Sequence, residues 1–235
     1  MNERDREDLQ ELKKAIVDSC TKCKGNNLQC SCYKKFMIEA RKITAGIPKR
    51  YRNFKLSDLD SPGLASAVLQ VDNYIKNIVD NYKNGIGLYL VGKAGSGKTA
   101  LESITLSGAI EKGYNSHFTK VETLISKYLD NDLEDILTID FLGIDDLGKE
   151  MHTQASSKLL GTALDIIIRN RGSNMLPTII TSNQTYHDIE IIYGEFGNGL
   201  VSLFSEQLLC ITCNLTGVDY RKEVIRHKNK RRKKE

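Results

Sequence analysis

The sequence predicts an α/β fold with a mainly parallel central sheet, preceded by a small helical module rich in cysteine. Three observations predict it. After residue 64, apolar runs of strand length alternate with segments of helical period, the pattern of a parallel sheet covered on both faces. One such run, Leu88-Tyr89-Leu90-Val91, leads directly into Gly92-Lys93-Ala94-Gly95-Ser96-Gly97-Lys98-Thr99. That is G-x-x-x-x-G-K-[ST], the phosphate-binding P-loop, in its working context between a strand and a helix. Ahead of it, Cys20, Cys23, Cys30 and Cys32 crowd into one short segment.

Composition leaves room for this architecture. Of 235 residues, 40% are hydrophobic and 27% charged, ordinary values for a globular chain with a real core. The net charge of +4 misleads as an average, because residues 226–235 hold seven Lys/Arg and one Glu. That local +6 leaves −2 for the rest, so basicity belongs to a tail and not to the fold. Residues 2–14 contain no apolar core of a signal peptide, and no run approaches the ~18 apolar residues of a membrane span. The expected compartment is the cytoplasm, with no membrane partner, where six cysteines mean reduced thiols or metal ligation.

Taken in order, residues 3–19 read as a helix with Leu9, Leu12 and Ile16 on one face. Tyr33, Phe36, Ala40 and Ile43 mark a second, which Gly46-Ile47-Pro48 breaks, since proline disfavours helical geometry in the residue before it. A domain boundary is expected there. Residues 64–82 carry Leu64, Val68, Val71, Ile75 and Val79 at helical spacing. Beyond the P-loop come a helix (99–111), a short strand (116–121), a helix (121–129) and an apolar strand (137–144). A helix over 156–169 places Leu159, Leu160, Ala163, Ile166 and Ile167 inward, and strands follow at 177–182 and 208–215.

Ligands of open α/β sheets bind beyond the carboxyl ends of the strands, and three strand ends carry suitable groups. In the P-loop, Gly92, Gly95 and Gly97 let successive N–H groups turn toward phosphate oxygens, Lys93, Ala94 and Ser96 complete the loop, and the helix through Ala100 adds its positive end. Lys98 supplies charge for the β- and γ-phosphates and Thr99 a hydroxyl for Mg²⁺. A nucleoside triphosphate is the implied ligand. The run Ile139-Asp140-Phe141-Leu142-Gly143-Ile144 ends in Asp145-Asp146, an acidic strand end of the Walker B form. Asp145 would hold Mg²⁺ and Asp146 polarise the attacking water, where glutamate is commoner; the competing reading is a pair of acids capping a helix. At the end of Thr178-Ile179-Ile180-Thr181-Ser182, Asn183 can orient that water or sense the γ-phosphate, although Ser-Asn is also turn chemistry.

Two features lie outside this site. The pattern C-x₂-C-x₆-C-x-C offers four thiolates, enough for a tetrahedral Zn²⁺, with Gly25-Asn26-Asn27 as the turn; four free thiols are the alternative. Cys210 and Cys213 fall on an apolar strand and read as core thiols. Residues 228–234 hold six basic side chains in seven, either a solvated end or a salt-sensitive grip on nucleic-acid phosphates.

The combination of GKAGSGKT, IDDLG, Arg171 shortly before LPTIITSN, and Gly217-Val218-Asp219-Tyr220-Arg221 resembles the AAA+ helicase-loader ATPases of the DnaC/DnaI type, related to the IstB transposition helpers. The segment Ile47-Pro48-Lys49-Arg50-Tyr51-Arg52 is similar to the start of the same core, so the resemblance spans roughly 46–222. It implies an AAA+ core that binds ATP with Mg²⁺, self-associates on a hexameric replicative helicase and contacts single-stranded DNA. Arg221 fits the family's sensor-2 position. One departure stands out: the family carries an arginine for the neighbouring subunit's ATP where this chain reads Gly199-Leu200-Val201-Ser202-Leu203-Phe204-Ser205-Glu206. The expected organisation is a zinc module (1–45), an AAA+ ATPase domain (46–225) and a basic tail (226–235). The expected function is helicase loading in DNA replication with slow ATP hydrolysis. The alternatives are an IstB-like transposition helper and an ATP-binding adaptor with little hydrolysis.

Overall fold

Helix α1 (Glu3–Lys13) opens the computed structural model, which describes residues 3–59, 62–148 and 154–213. Arg221, its surrounding motif and the basic tail lie outside the described residues. Helix α1 passes into a π-helical turn over Lys14–Asp18, and that widened turn buries Val17 while leaving Leu9, Leu12 and Ile16 half-buried. The cysteine loop follows, then α2 (Ser31–Thr44), which carries Ile43 into the interior. Ala45 and Ile47 pack in the same cluster as the sheet core, so apolar side chains run straight across the point where a boundary is expected.

Between 64 and 83 the chain makes two helices, α3 (Ala65–Lys76) and α4 (Ile78–Lys83), where the period predicts one. Asn77 breaks them: its side-chain amide donates to the Asn73 carbonyl, a local bond that competes with the helix. The break rotates the buried face, so Ile78 is buried and Val79 is exposed.

Strand β1 (Gly87–Val91) is buried along its whole length and joins β2 (Ser116–Lys120), β3 (Phe141–Leu147), β4 (Thr178–Ser182) and β5 (Leu208–Thr212) in one sheet. The order is β2-β3-β4-β1-β5, with all four pairings parallel. Alternation along β1 divides the core. Leu88 and Leu90 face a cluster shared with α3 and with α5 (Lys98–Glu111), while Tyr89 and Val91 face the opposite one. That second cluster is closed by α6 (Val121–Leu129), α7 (Glu134–Thr138), α8 (Gln154–Ser173), α9 (Tyr186–Tyr193) and α10 (Glu195–Gln207). Each buried Leu or Ile in these layers contributes roughly 1.5–3 kcal/mol.

Three local differences from the sequence pattern have physical causes. The strand expected from residue 137 begins at Phe141, because Glu134 and Asp135 start a short helix that buries Ile136. Ile166 is 41% exposed, since Ala163, Leu164, Ile167 and Ile168 already fill the inward face of α8. Helices α9 and α10 occupy a stretch the periodicity leaves unassigned, and Thr185 starts α9 with a capping box closed by Asp188. The edge strand β2 is shielded where the Phe118 N–H donates to the Ala45 carbonyl at 2.7 Å. No helix among the described residues is long and apolar enough to cross a membrane.

Candidate functional site

Strand β4 lies between β1 and β3, so the loop after β1, the acids of β3 and the polar tip of β4 meet at one edge of the sheet. Residues 92–97 form the connection from β1 to α5, with Lys93 and Ala94 exposed and Ser96 buried. Gly97 takes φ +86° at the start of α5, a conformation that side chains resist, and turns the chain straight into the helix. The helix N-terminus therefore faces the loop with its unsatisfied N–H groups, the ready-made anion site of such turns.

Lys98 is 5% exposed, and its Nζ donates to the carbonyls of Gly92 (2.7 Å) and Lys93 (3.0 Å) and to Asn183 Oδ1 (2.8 Å). The amide of Asn183 thus stands within direct reach of the P-loop lysine, across 85 residues of sequence. Thr99 Oγ1 donates to Asp145 Oδ1 at 3.0 Å, which pairs the two expected Mg²⁺ ligands. Ala100 is buried beneath them. A hydroxyl and a carboxylate in contact at the helix start, beside a lysine, form a donor set that fits a triphosphate and its magnesium.

Asp146 differs from its neighbour. Its φ is +66°, and the β3–β4 register shifts between Ile144 and Leu147, so the second acid occupies a bulge and not a regular strand position. Two further residues of the site escape the sequence reading. Thr181, wholly buried, donates to Asp145 Oδ1 at 2.6 Å. It lies on β4 two residues before Asn183, the polar residue just past the strand end. Glu102 on α5 is wholly buried against Gly143, whose missing side chain gives its carboxyl room. Burial first, then the charge of Asp145, pushes that carboxyl well above the ordinary carboxylate range. Its only sequence sign is an acid inside an apolar helix.

The two arginines ahead of β4 do not converge on this site. Arg171 is fully buried, and its guanidinium donates to the carbonyls of Ile136, Ile139 and Pro177 at 2.8 Å and to Thr178 Oγ1 at 3.0 Å. Burial lowers it to about 9. Arg169 pairs with Asp165 on its own helix. The segment 199–206, which lacks the family's arginine, is part of α10.

At the other end of the chain, the Sγ atoms of Cys20, Cys23, Cys30 and Cys32 all lie within 4.8 Å of one another. Cys20 and Cys30 are 3.9 Å apart, Cys23 and Cys32 3.4 Å. Zn–S bonds of about 2.3 Å put tetrahedral sulfurs roughly 3.8 Å apart, so the cluster fits a zinc ion. The backbone N–H groups of Cys23 and Lys22 bring the Cys20 thiol down to about 6, while burial and the neighbouring thiols push Cys32 up to about 12.

No family model matches the chain. The replicative helicase loader DnaI of Bacillus subtilis (strain 168) is 30% identical over 140 residues, which cover 55% of this chain and 43% of that protein. The chain thus matches less than half the length of that relative. A crystal structure of the DnaC helicase loader superposes with a TM-score of 0.61 at 27% identity, covering 71% of this chain and 100% of the other. The replication initiator DnaA bound to AMPPCP and single-stranded DNA gives a TM-score of 0.58 at 16% identity over 79% of this chain and 56% of its own, a likeness of fold alone. With the P-loop, the acidic strand end and the strand order in one place, the chain is similar in sequence and fold to AAA+ proteins of the DnaC/DnaI helicase-loader type.

Proposed function

We propose that this chain loads a hexameric replicative helicase onto single-stranded DNA, with ATP binding and slow hydrolysis as its switch. The observation that carries the reading is the meeting of Lys98, Thr99, Asp145 and Asn183 at one sheet edge, in a chain similar to named helicase loaders. On this reading Lys98 leaves its loop carbonyls for the β- and γ-phosphates, and residues 92–99 wrap the phosphate chain with backbone N–H groups. Thr99 and Asp145 would hold Mg²⁺, which would supply charge to neutralise the transferred phosphoryl group. Asp146 polarises water and Asn183 orients it. Arg221, which fits the family's sensor-2 position, would act on the nucleotide bound by its own subunit. The work belongs in the cytoplasm, where copies of the chain associate on the helicase ring.

Cys20, Cys23, Cys30 and Cys32 hold Zn²⁺, which would supply folding energy to a segment with little core of its own. The 1–45 module, with its half-buried α1 face, is the helicase contact, and the basic tail grips DNA phosphates without reading sequence. A loading assay tests the proposal: unwinding by the cognate helicase on closed circular single-stranded DNA, with and without this chain. Unwinding should start only with the chain and ATP present, and fail with the Lys98→Ala variant. Unwinding indifferent to the chain would overturn the loader reading, and capture of a transposase on duplex DNA would replace it with the transposition-helper one.

A second reading, an ATP-binding adaptor that hardly turns over, draws on the arginines. Arg171 is locked in the core, Arg169 is paired with Asp165, and residues 199–206 offer none. An arginine delivered to the γ-phosphate is worth ~10³–10⁵ in rate in related systems. Turnover by the protein alone above roughly one per second, the low end for efficient phosphoryl-transfer enzymes, would exclude the adaptor.

A further inference from the structure

Strands β3 and β4 pair in regular register at Leu142 with Thr178, Gly143 with Ile179 and Ile144 with Ile180, and pair again at Leu147 with Ser182. Between those points, Asp145 and Asp146 on β3 stand opposite a single residue of β4, Thr181. Two residues against one is a bulge, and it disrupts the ladder there. The hydroxyl of Thr181 bridges the gap. It donates to Asp145 Oδ1 at 2.6 Å and accepts from the Asp146 N–H at 2.9 Å. Asp145 Oδ1 also accepts from Thr99 Oγ1 at 3.0 Å, so one carboxylate oxygen is held from the P-loop helix on one side and from β4 on the other.

We propose that Thr181 is a positioning residue of the ATPase centre, whose one hydroxyl fixes both acids of β3: the carboxylate of Asp145 through a donated bond and the bulge of Asp146 through an accepted one. The proposal rests on the nucleotide site read above. A β-branched side chain suits the task because its χ1 is stiff, and burial at 0% exposure leaves no water to compete for either bond. The bulge also accounts for the short second acid. At φ +66° an L-residue is strained, and Asp and Asn tolerate that region far better than Glu. A glutamate at 146 would have to hold the same backbone without that tolerance. Without the hydroxyl, the Asp146 N–H loses the Thr181 acceptor and Asp145 the Thr181 donor. The acids would then sample other rotamers or relax toward regular pairing, which re-aims side chains by a whole face.

Thr181→Val keeps the shape and removes both bonds; Thr181→Ser keeps both bonds and loses only a methyl. Thr181→Ala serves as a second removal should the valine crowd the bulge. Two readouts are made on the full chain: binding of a fluorescent ATP analogue in EDTA and in Mg²⁺, and steady-state ATP hydrolysis. Thr181→Val should bind as the native chain does in EDTA, within about threefold, since Lys98 and the loop are untouched. Its gain in affinity from Mg²⁺ should shrink, and kcat should fall roughly 10- to 100-fold, the value of one or two hydrogen bonds to a charged site, with KM moving far less. Thr181→Ser should restore both. Native Mg²⁺ dependence and native kcat in the folded Val or Ala variant would overturn the positioning role. Failure of the native chain to bind the analogue at all would instead overturn the nucleotide reading itself, and this proposal with it.

Discussion

Lys98 and Thr99 open α5, one short loop after a strand whose five residues are all buried. Cys20, Cys23 and Cys30 sit, half-buried, between α1, none of whose residues is buried, and α2, which carries the half-buried Cys32 in its first turn and buries only Lys42 and Ile43. The first site is therefore assembled by the core before any ligand arrives. Lys98 already has protein acceptors, which on the proposed reading a nucleotide would replace. The second has four sulfurs at ligand spacing and little apolar surface to keep them there. Preorganisation is inherited from the sheet in one case and would have to come from a bound metal in the other.

Removing the metal should break this comparison most visibly. The double variant Cys20→Ser, Cys23→Ser should lose the zinc and unfold residues up to about 30, since structural zinc contributes on the order of 10 kcal/mol in small sites. Hydrogen exchange should show that segment open while the β1–β5 amides keep their native protection. Loss of protection throughout the sheet would mean that the module and the core are one cooperative unit, joined through Ala45 and Ile47.

Arg171→Ala attacks the other side of the comparison, the rigidity of the sheet. Several buried carbonyls lose their donor at about 1–3 kcal/mol each, so the chain should be destabilised by about 3 kcal/mol or more in urea. Nucleotide affinity at a temperature where the variant stays folded should be native. A selective loss of affinity with unchanged stability would give Arg171 a role in the nucleotide site.

Lys98→Ala should lower ATP affinity roughly 10²-fold, the value of a charged hydrogen-bonding group, and leave the melting temperature of the apo protein within a few degrees. Equal affinity in the variant and native chains, by titration calorimetry, would refute the P-loop assignment.

The smallest effect concerns how α1 is held. Asp8 accepts from Lys49 and Arg52, and these partners hold its carboxyl below its ordinary 3.8. A depressed acid stabilises the fold above its unfolded pKa, and the contribution fades as pH falls through the lower folded value. Amide protection of α1 in the native chain should exceed that in Asp8→Asn at pH 7, and the difference should close below pH 3.8. Comparing the two proteins at each pH cancels any effect of acid on the cysteine cluster. A difference that persists in acid would assign the contact to packing and not to charge.

Read from its residues alone, the chain already determines the P-loop, the acidic strand end and the cysteine spacing, because each depends on neighbours a few residues apart. Consecutive N–H groups make a phosphate cradle, and four thiols in a short loop can close on one ion whatever surrounds them. Strand alternation and the parallel sheet are legible for the same reason, as period-two and helical patterns are local. The tertiary structure alone decided the rest. Thr181 meets Asp145 and Asp146 from 36 and 35 residues away, through a bulge that strand register creates and no spacing announces. Arg171, in the sequence only a basic residue ahead of LPTIITSN, is buried among carbonyls, and Val79 and Ile166 leave the faces their periods assign. In each case the outcome depends on which distant groups the fold brings opposite. Hydrogen-bond satisfaction and packing are settled between elements, where a one-dimensional pattern carries no distance.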